Sequence, residues 1–212
     1  MDCVRKIVNC AAIFDGYVKG DYIVETLIHK RMPKVIDIVF SDDSNKKMFI
    51  KTLQSLYNAK YISDGRIHTE ALLPSITHLI CTPRKNTYLL VDIYFDICNS
   101  ISTNVEFTCI SLKLQKDRLI TMSDDNFVLF GQCLDDIVNN KFASLPLKYI
   151  FSDCQLYKNV VRKRIEMAHR LIEQDKTMYS LNSYDSKFMS SFVLFIYNSN
   201  IAKTIKKIEN YS

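Results

Sequence analysis

The sequence predicts an α/β (α+β) fold: a mixed sheet with flanking helices, followed by a helical C-terminal part. Three observations carry this expectation. Short β-rich runs alternate with helix-periodic segments over residues 1–122. From residue 124 the character changes, and 125–141, 153–175 and 185–209 read as helices. Four glycines and four prolines in 212 residues leave little material for linkers, so elements follow one another closely. The expected division is a head over 1–122 and a helical C-terminal region over 123–212.

The N-terminal MDCVRKIVNCAAIF predicts a first helix and then a short strand over residues 8–15, not a secretory leader. Tyr17, Val18, Ile23, Val24, Leu27 and Ile28 follow helical spacing, so a helix is expected over 17–29 with Gly16 at the turn into it. Pro33 separates that segment from a strand over 34–40. Ser41-Asp42-Asp43-Ser44 is a turn and N-cap for a helix carrying Met48, Phe49, Leu53, Leu56 and Tyr57. Residues 76–82 and 88–97 are strands joined across Pro83-Arg84-Lys85-Asn86. In the second, alternation puts Leu90, Asp92, Tyr94 and Asp96 on one face. Residues 105–114 and 118–122 form a hairpin across Gln115-Lys116-Asp117.

Composition narrows the function classes. An apolar fraction of 48% and a charged fraction of 24% suit a soluble globular protein, and no apolar run is long enough to span a bilayer. Neither the P-loop nor the dinucleotide-binding glycine motif is present. Cys3, Cys10, Cys81, Cys98, Cys109, Cys133 and Cys154 are dispersed without a C-x-x-C pair, which predicts reduced thiols in an intracellular, cytoplasmic protein. A zinc site around His78 and Cys81 lacks a second ligand pair. His29, His68, His78 and His169 have no Ser or Cys partner at a recognisable spacing, so nucleophilic catalysis is not indicated. The net charge of +5 is mild, but Lys158, Arg162, Lys163, Arg164 and Arg170 are concentrated in one helical segment. Such a face either follows the phosphates of a nucleic acid or is simply solvated. The 24 Tyr and Phe residues invite a base-stacking role, although Phe188, Phe192, Phe195 and Tyr197 stand at periodic apolar positions typical of a core.

Asp37 stands inside Val-Ile-Asp-Ile-Val-Phe, where an unpaired acid is expensive to bury. Metal-assisted phosphoryl transfer requires carboxylates held in this way on rigid strands. Its usual layout is Asp-x-Asp on one strand, a third acid on a neighbouring strand and a glycine turn for the triphosphate. FDGYVKGD followed by PKVIDIVF resembles the GGYVRD…DIDIV pattern of the nucleotidyltransferase superfamily, in the branch of tRNA nucleotidyltransferases and bacterial-type poly(A) polymerases. YLLVDIYFD resembles the third-carboxylate strand, and NVEFTCISL is similar to the DFTINAL strand. DDIVNNKF and VVRKRIEMAHRLIEQD resemble the passage that follows it. The similarity covers about residues 8–176, and spacing and tail are closest to nucleotidyltransferase-like proteins of large DNA viruses.

The resemblance implies Asp37 and Asp92 as catalytic Mg²⁺ ligands and Gly16 with Lys19 as nucleotide-binding residues. It also implies RNA as a partner for the basic helix, a homologous subunit or a second copy as another, and the host cytoplasm as the location of a viral member. Four departures stand against it. Asp15-Gly16 replaces paired glycines, Lys19-Gly20 replaces Arg-Asp with Asp21 one place late, Val35 replaces the first acid of Asp-x-Asp, and Ile110 replaces an Asn. Asp42 and Asp43 lie roughly 15 Å along the chain from Val35 and Asp96 about 13 Å from Asp92, too far to substitute. The expectation is a degenerate nucleotidyltransferase-like protein, impaired in transfer, with a binding or scaffolding role. The alternatives are an active template-independent enzyme using Mg²⁺ and a structural, virion-associated protein without nucleotide affinity.

Overall fold

Val4, Ile7, Val8 and Ala11 recur at three- and four-residue spacing and all are buried, so helix α1 (Asp2–Ile13) runs unbroken through the region where a strand over 8–15 is expected. One apolar stripe continues across both halves of the segment and outweighs the local β-like run. The helix ends in a Schellman motif: Gly16 N–H donates to Ala11 O at 2.8 Å and Asp15 N–H to Ala12 O at 3.2 Å, with Asp15 left-handed at φ 57°. The structure is a computed structural model that describes residues 2–20, 22–66, 75–84, 87–96, 107–122, 130–145 and 154–179. It comprises two compact units, one of residues 1–103 with 112–124 and the other of 104–111 with 125–212.

The helix expected over 17–29 begins later than its periodicity suggests. Tyr17–Lys19 is strand β1, which satisfies its backbone on both sides by pairing with β2 (Val35–Phe40) and β6 (Leu112–Gln115). Gly20 then turns the chain with φ +67°, and Tyr22–Ile28 forms a wide π-helical segment that buries Tyr22, Ile23 and Thr26. Helix α2 (Asp43–Tyr57) starts as its sequence predicts, with the Asp42 carboxylate accepting from Asn45 N–H at 2.7 Å. Strand β3 (Lys60–Arg66) has no counterpart in the sequence reading. Strands β4 (Ser75–Arg84) and β5 (Thr87–Phe95) follow where expected.

The strand expected over 105–114 is interrupted. Thr108–Ile110 is a 3-10 turn, and only Leu112–Gln115 continues as β6, joined to β7 (Arg118–Thr121) by the left-handed pair Lys116 and Asp117. The resulting seven-stranded sheet has the order β3-β4-β5-β2-β1-β6-β7. Its pairings are antiparallel except that of β2 with β5. Ile36, Ile38, Phe40, Leu79, Cys81, Val91 and Ile93 form one buried face, and the Phe40 ring meets Phe49 of α2 at 5.2 Å. Each such side chain contributes about 1.5–3 kcal/mol by leaving water. The opposite face carries the polar residues described below.

In the second unit, helix α3 (Phe130–Val138) is followed by β8 (Lys141–Ala143), so residue 141 belongs to a strand instead of the helix expected over 125–141. Helix α4 (Cys154–Glu173) matches the stretch expected over 153–175, and β9 (Thr177–Tyr179) pairs in parallel with β8. Phe107 and Phe142, both fully buried, meet edge to face at 5.3 Å. Beside them, the buried Asp136 carboxylate accepts from Thr108, from Tyr179 at 2.8 Å and from Gln132 at 3.1 Å. The helix expected over 185–209 lies outside the described residues, as do Phe188, Phe192, Phe195 and Tyr197. Among the described residues, no helix is long and apolar enough to cross a membrane.

Gly16 and Gly20 carry different constraints. A Cβ at Gly16 would stand 2.7 Å from Phe40 Cε1 and 3.1 Å from Ala11 O, whereas one at Gly20 would stand 2.5 Å from Asp37 Oδ2 on a left-handed backbone. Gly16→Ala is expected to lower unfolding free energy by about 2–3 kcal/mol through overpacking against a ring and a carbonyl. Gly20→Ala is expected to lower it by about 1–2 kcal/mol through backbone strain, with added crowding of Asp37. Urea denaturation of the two variants measures both effects.

Candidate functional site

Side chains that pair directly across a sheet project from the same face. The registers therefore assemble one polar row across six strands: Lys113 of β6, Lys19 of β1, Asp37 of β2, Asp92 of β5, His78 of β4 and Ser63 of β3. Asp37 and Asp92 are direct partners on adjacent parallel strands, about 4.8 Å apart in the hydrogen-bonding direction. The two acids singled out by sequence are thus brought together, with Lys19 flanking Asp37 and His78 flanking Asp92.

Each carboxylate has a protein donor. His78 Nδ1–H donates to Asp92 Oδ1 at 2.8 Å, which fixes the proton on that nitrogen because the carboxylate only accepts. The Tyr94 hydroxyl donates to Asp37 Oδ1 at 3.2 Å. Burial pushes the Tyr94 phenol up, and the neighbouring Asp37 and Asp92 charges push it further, so it remains a donor at neutral pH. The Lys19 ammonium lies 4.4 Å from the centre of the Tyr94 ring, and Lys113 lies 5.0 Å from that of Tyr17. A Cβ at Gly20 would stand 2.5 Å from Asp37 Oδ2, so a larger residue there would crowd that carboxylate oxygen.

Val35 projects from the same face as Asp37, half-buried beside its partner Leu90, which is 43% exposed. It offers a metal ion nothing. The other acids weighed as replacements are engaged elsewhere: Asp42 caps α2, Asp43 pairs with Lys47 at 2.5 Å, and Asp96 is buried just beyond β5. Asp15, at the end of α1, pairs with Lys116 at 2.9 Å. A pair of Mg²⁺ ions needs several carboxylate oxygens free to coordinate and to bridge. Two carboxylates already accepting from Tyr94 and His78, next to a valine, do not fit that group. Among the described residues, no three His, Cys, Asp or Glu side chains form a metal-binding group.

Several sequence assignments change. Gly16 sits at a helix-to-strand junction against Phe40 on the core side, so its smallness serves packing there. Lys19 lies in the row beside Asp37 and on a strand, not a helix surface. His78 and Cys81 point to opposite faces of β4, so they do not converge on one ion. Arg164 is only 2% exposed; its guanidinium donates to Leu145 O and, at 3.5 Å, to Ser144 Oγ, which removes it from the proposed phosphate-following surface. Arg170 is exposed in the last turn of α4, where a cation complements the helix dipole. Lys158, Arg162 and Lys163 lie on α4, with their side chains outside the described set. The sequence reading missed His78, Lys113 and Gly20 as neighbours of the acids. For Tyr94 a signal existed, since alternation places it on the face of Asp92.

No protein-family model matches the chain, and no curated protein matches it in sequence. Solved structures do match in fold. A CCA-adding enzyme in its apo form superposes with a TM-score of 0.53 at 13% identity, over 94% of this chain and 44% of that one. A Thermotoga maritima CCA-adding enzyme complexed with tRNA gives 0.52 at 14% identity, over 94% and 44%. A CCA-adding enzyme complexed with ATP gives 0.51 at 13%, over 94% and 45%. The chain therefore has the fold of CCA-adding nucleotidyltransferases and spans less than half the length of those structures.

Arg164 and Arg170, two of the three arginines of α4, separate a structural from a surface role. Arg164→Met is expected to cost about 2–3 kcal/mol of stability, because the Leu145 carbonyl loses a charged donor in a buried setting. Arg170→Ala is expected to stay within about 0.5 kcal/mol of the parent in the same urea titration.

Proposed function

We propose that the chain is a degenerate nucleotidyltransferase-fold protein, inactive in metal-dependent nucleotidyl transfer, that keeps a binding role with RNA as its partner. The observation that carries this reading is the state of the acid row. Val35 replaces one ligand, and Tyr94 and His78 hold the remaining two. Transfer of a nucleotidyl group by this fold's chemistry needs ions that activate the attacking hydroxyl and neutralise the leaving pyrophosphate. Without them, Asp37 and Asp92 repel a triphosphate. What such a face retains is its framework: Lys19 and Lys113 at one end of the row, each lying over an aromatic ring.

RNA is favoured as partner by two observations. A structure of the same fold is a complex with tRNA, and α4 carries the exposed Arg170 together with Lys158, Arg162 and Lys163 in its sequence. Phosphate contacts of this kind position a nucleic acid without reading its sequence, and they weaken as salt rises.

Purified protein incubated with an RNA primer, labelled nucleoside triphosphates and Mg²⁺ or Mn²⁺ is expected to give no extension above a protein-free control. Extension that Asp37→Ala abolishes would overturn the reading. Fluorescence anisotropy is expected to show binding of a structured RNA at about 50 mM salt, weakened at least tenfold near 200 mM. A chain that binds no RNA at the lower salt has some other partner.

A further inference from the structure

We infer that Tyr94 and His78 take the place of a divalent ion: by donating to Asp37 and Asp92 they satisfy the acid pair from within the sheet and exclude Mg²⁺ from it. This rests on the reading above and adds residues responsible for the loss of metal. A donated hydrogen bond takes one lone-pair direction of a carboxylate oxygen and draws charge from it, so an ion at about 2.0–2.1 Å must share that oxygen with its donor or displace it. The His78 N–H at 2.8 Å holds this place on Asp92 Oδ1, and the Tyr94 hydroxyl at 3.2 Å holds it on Asp37 Oδ1.

Neither donor is a loose surface group. His78 is fixed by its register between Ser63 and Asp92, and Tyr94 stands two residues beyond Asp92 on the same strand, beneath the Lys19 ammonium. Lys19 adds a standing positive charge next to Asp37, which disfavours a second cation there. The other Asp37 oxygen, Oδ2, lies on the side of Gly20, where an added Cβ would stand 2.5 Å from it. The row thus alternates from cations to acids to histidine, and Val35 closes its lower side with a hydrocarbon surface.

Mn²⁺ serves as the probe, because the electron paramagnetic resonance signal of the free ion falls when it binds. The 212-residue wild-type chain is expected to leave that signal unchanged up to millimolar Mn²⁺. The triple variant Val35→Asp, His78→Val, Tyr94→Phe, checked for cooperative unfolding, is expected to bind Mn²⁺ at least about tenfold more tightly, the scale on which neighbouring hydrogen-bond partners tune metal sites. The single variants Tyr94→Phe and His78→Val serve if the triple variant does not fold, and at least one is expected to gain uptake. Uptake by the wild type that Asp37→Asn or Asp92→Asn abolishes overturns the inference. So does a folded triple variant, or both folded single variants in its absence, that take up no more than wild type. The readout is ion uptake, so wild-type uptake without primer extension overturns this inference alone, while extension overturns the functional reading.

Discussion

The parallel pairing of β2 with β5 sets Val35 beside Leu90, Ile36 beside Val91 and Asp37 beside Asp92. Every second pair of that ladder faces the helices and every other pair faces away, so one register decides both the core and the polar row. A slip of β2 by one residue would carry Asp37 into the layer occupied by Val91 and Ile93, at a cost of several kcal/mol for an uncompensated charge. Hydrophobic burial on one side thereby enforces the meeting of two acids on the other. Their proximity follows from packing as much as from chemistry.

Two like charges at neighbouring positions destabilise a sheet unless something offsets them. The offset comes from side chains along the same row, Lys19 on one flank and His78 on the other, with the Tyr94 hydroxyl on Asp37. The fold matches that of CCA-adding enzymes, and a fold of itself does not carry a function.

Much of the framework was legible in the sequence, and the reasons for the exceptions are local. β2, α2, β4 and β5 announce themselves through alternation, through the Asp42 cap and through Pro33. The stretch from Ile13 to Ile28 was misread because Tyr17 and Val18 fit a helical stripe equally well, and only pairing with β2 and β6 makes them a strand. β3 escaped because KYISDGR mixes exposed polar and apolar residues and carries a bulge between Tyr61 and Ser63. Asp37, Asp92 and Val35 could be picked out by motif order. Their neighbours His78 and Lys113 are set by registers that join distant segments, and no single stretch of sequence encodes a register. The burial of Arg164 is likewise a tertiary fact, hidden in a run that reads as uniformly basic.

The Asp136 network bears on how this chain can be dissected. Its donors come from Thr108, Gln132 and Tyr179, separated from one another by tens of residues, and Thr108 also accepts from the Ala143 N–H at 2.9 Å. A fragment beginning after residue 122 would retain the carboxylate, the tyrosine and the glutamine while losing the hydroxyl that joins them to β8. The segment around Thr108 is therefore a staple contributed from earlier in the chain, joining Asp136 of α3 and Tyr179 of β9 to Ala143 of β8. Expression trials of separate halves should carry residues 104–111 with the C-terminal piece, as a covalent fusion or as an added peptide.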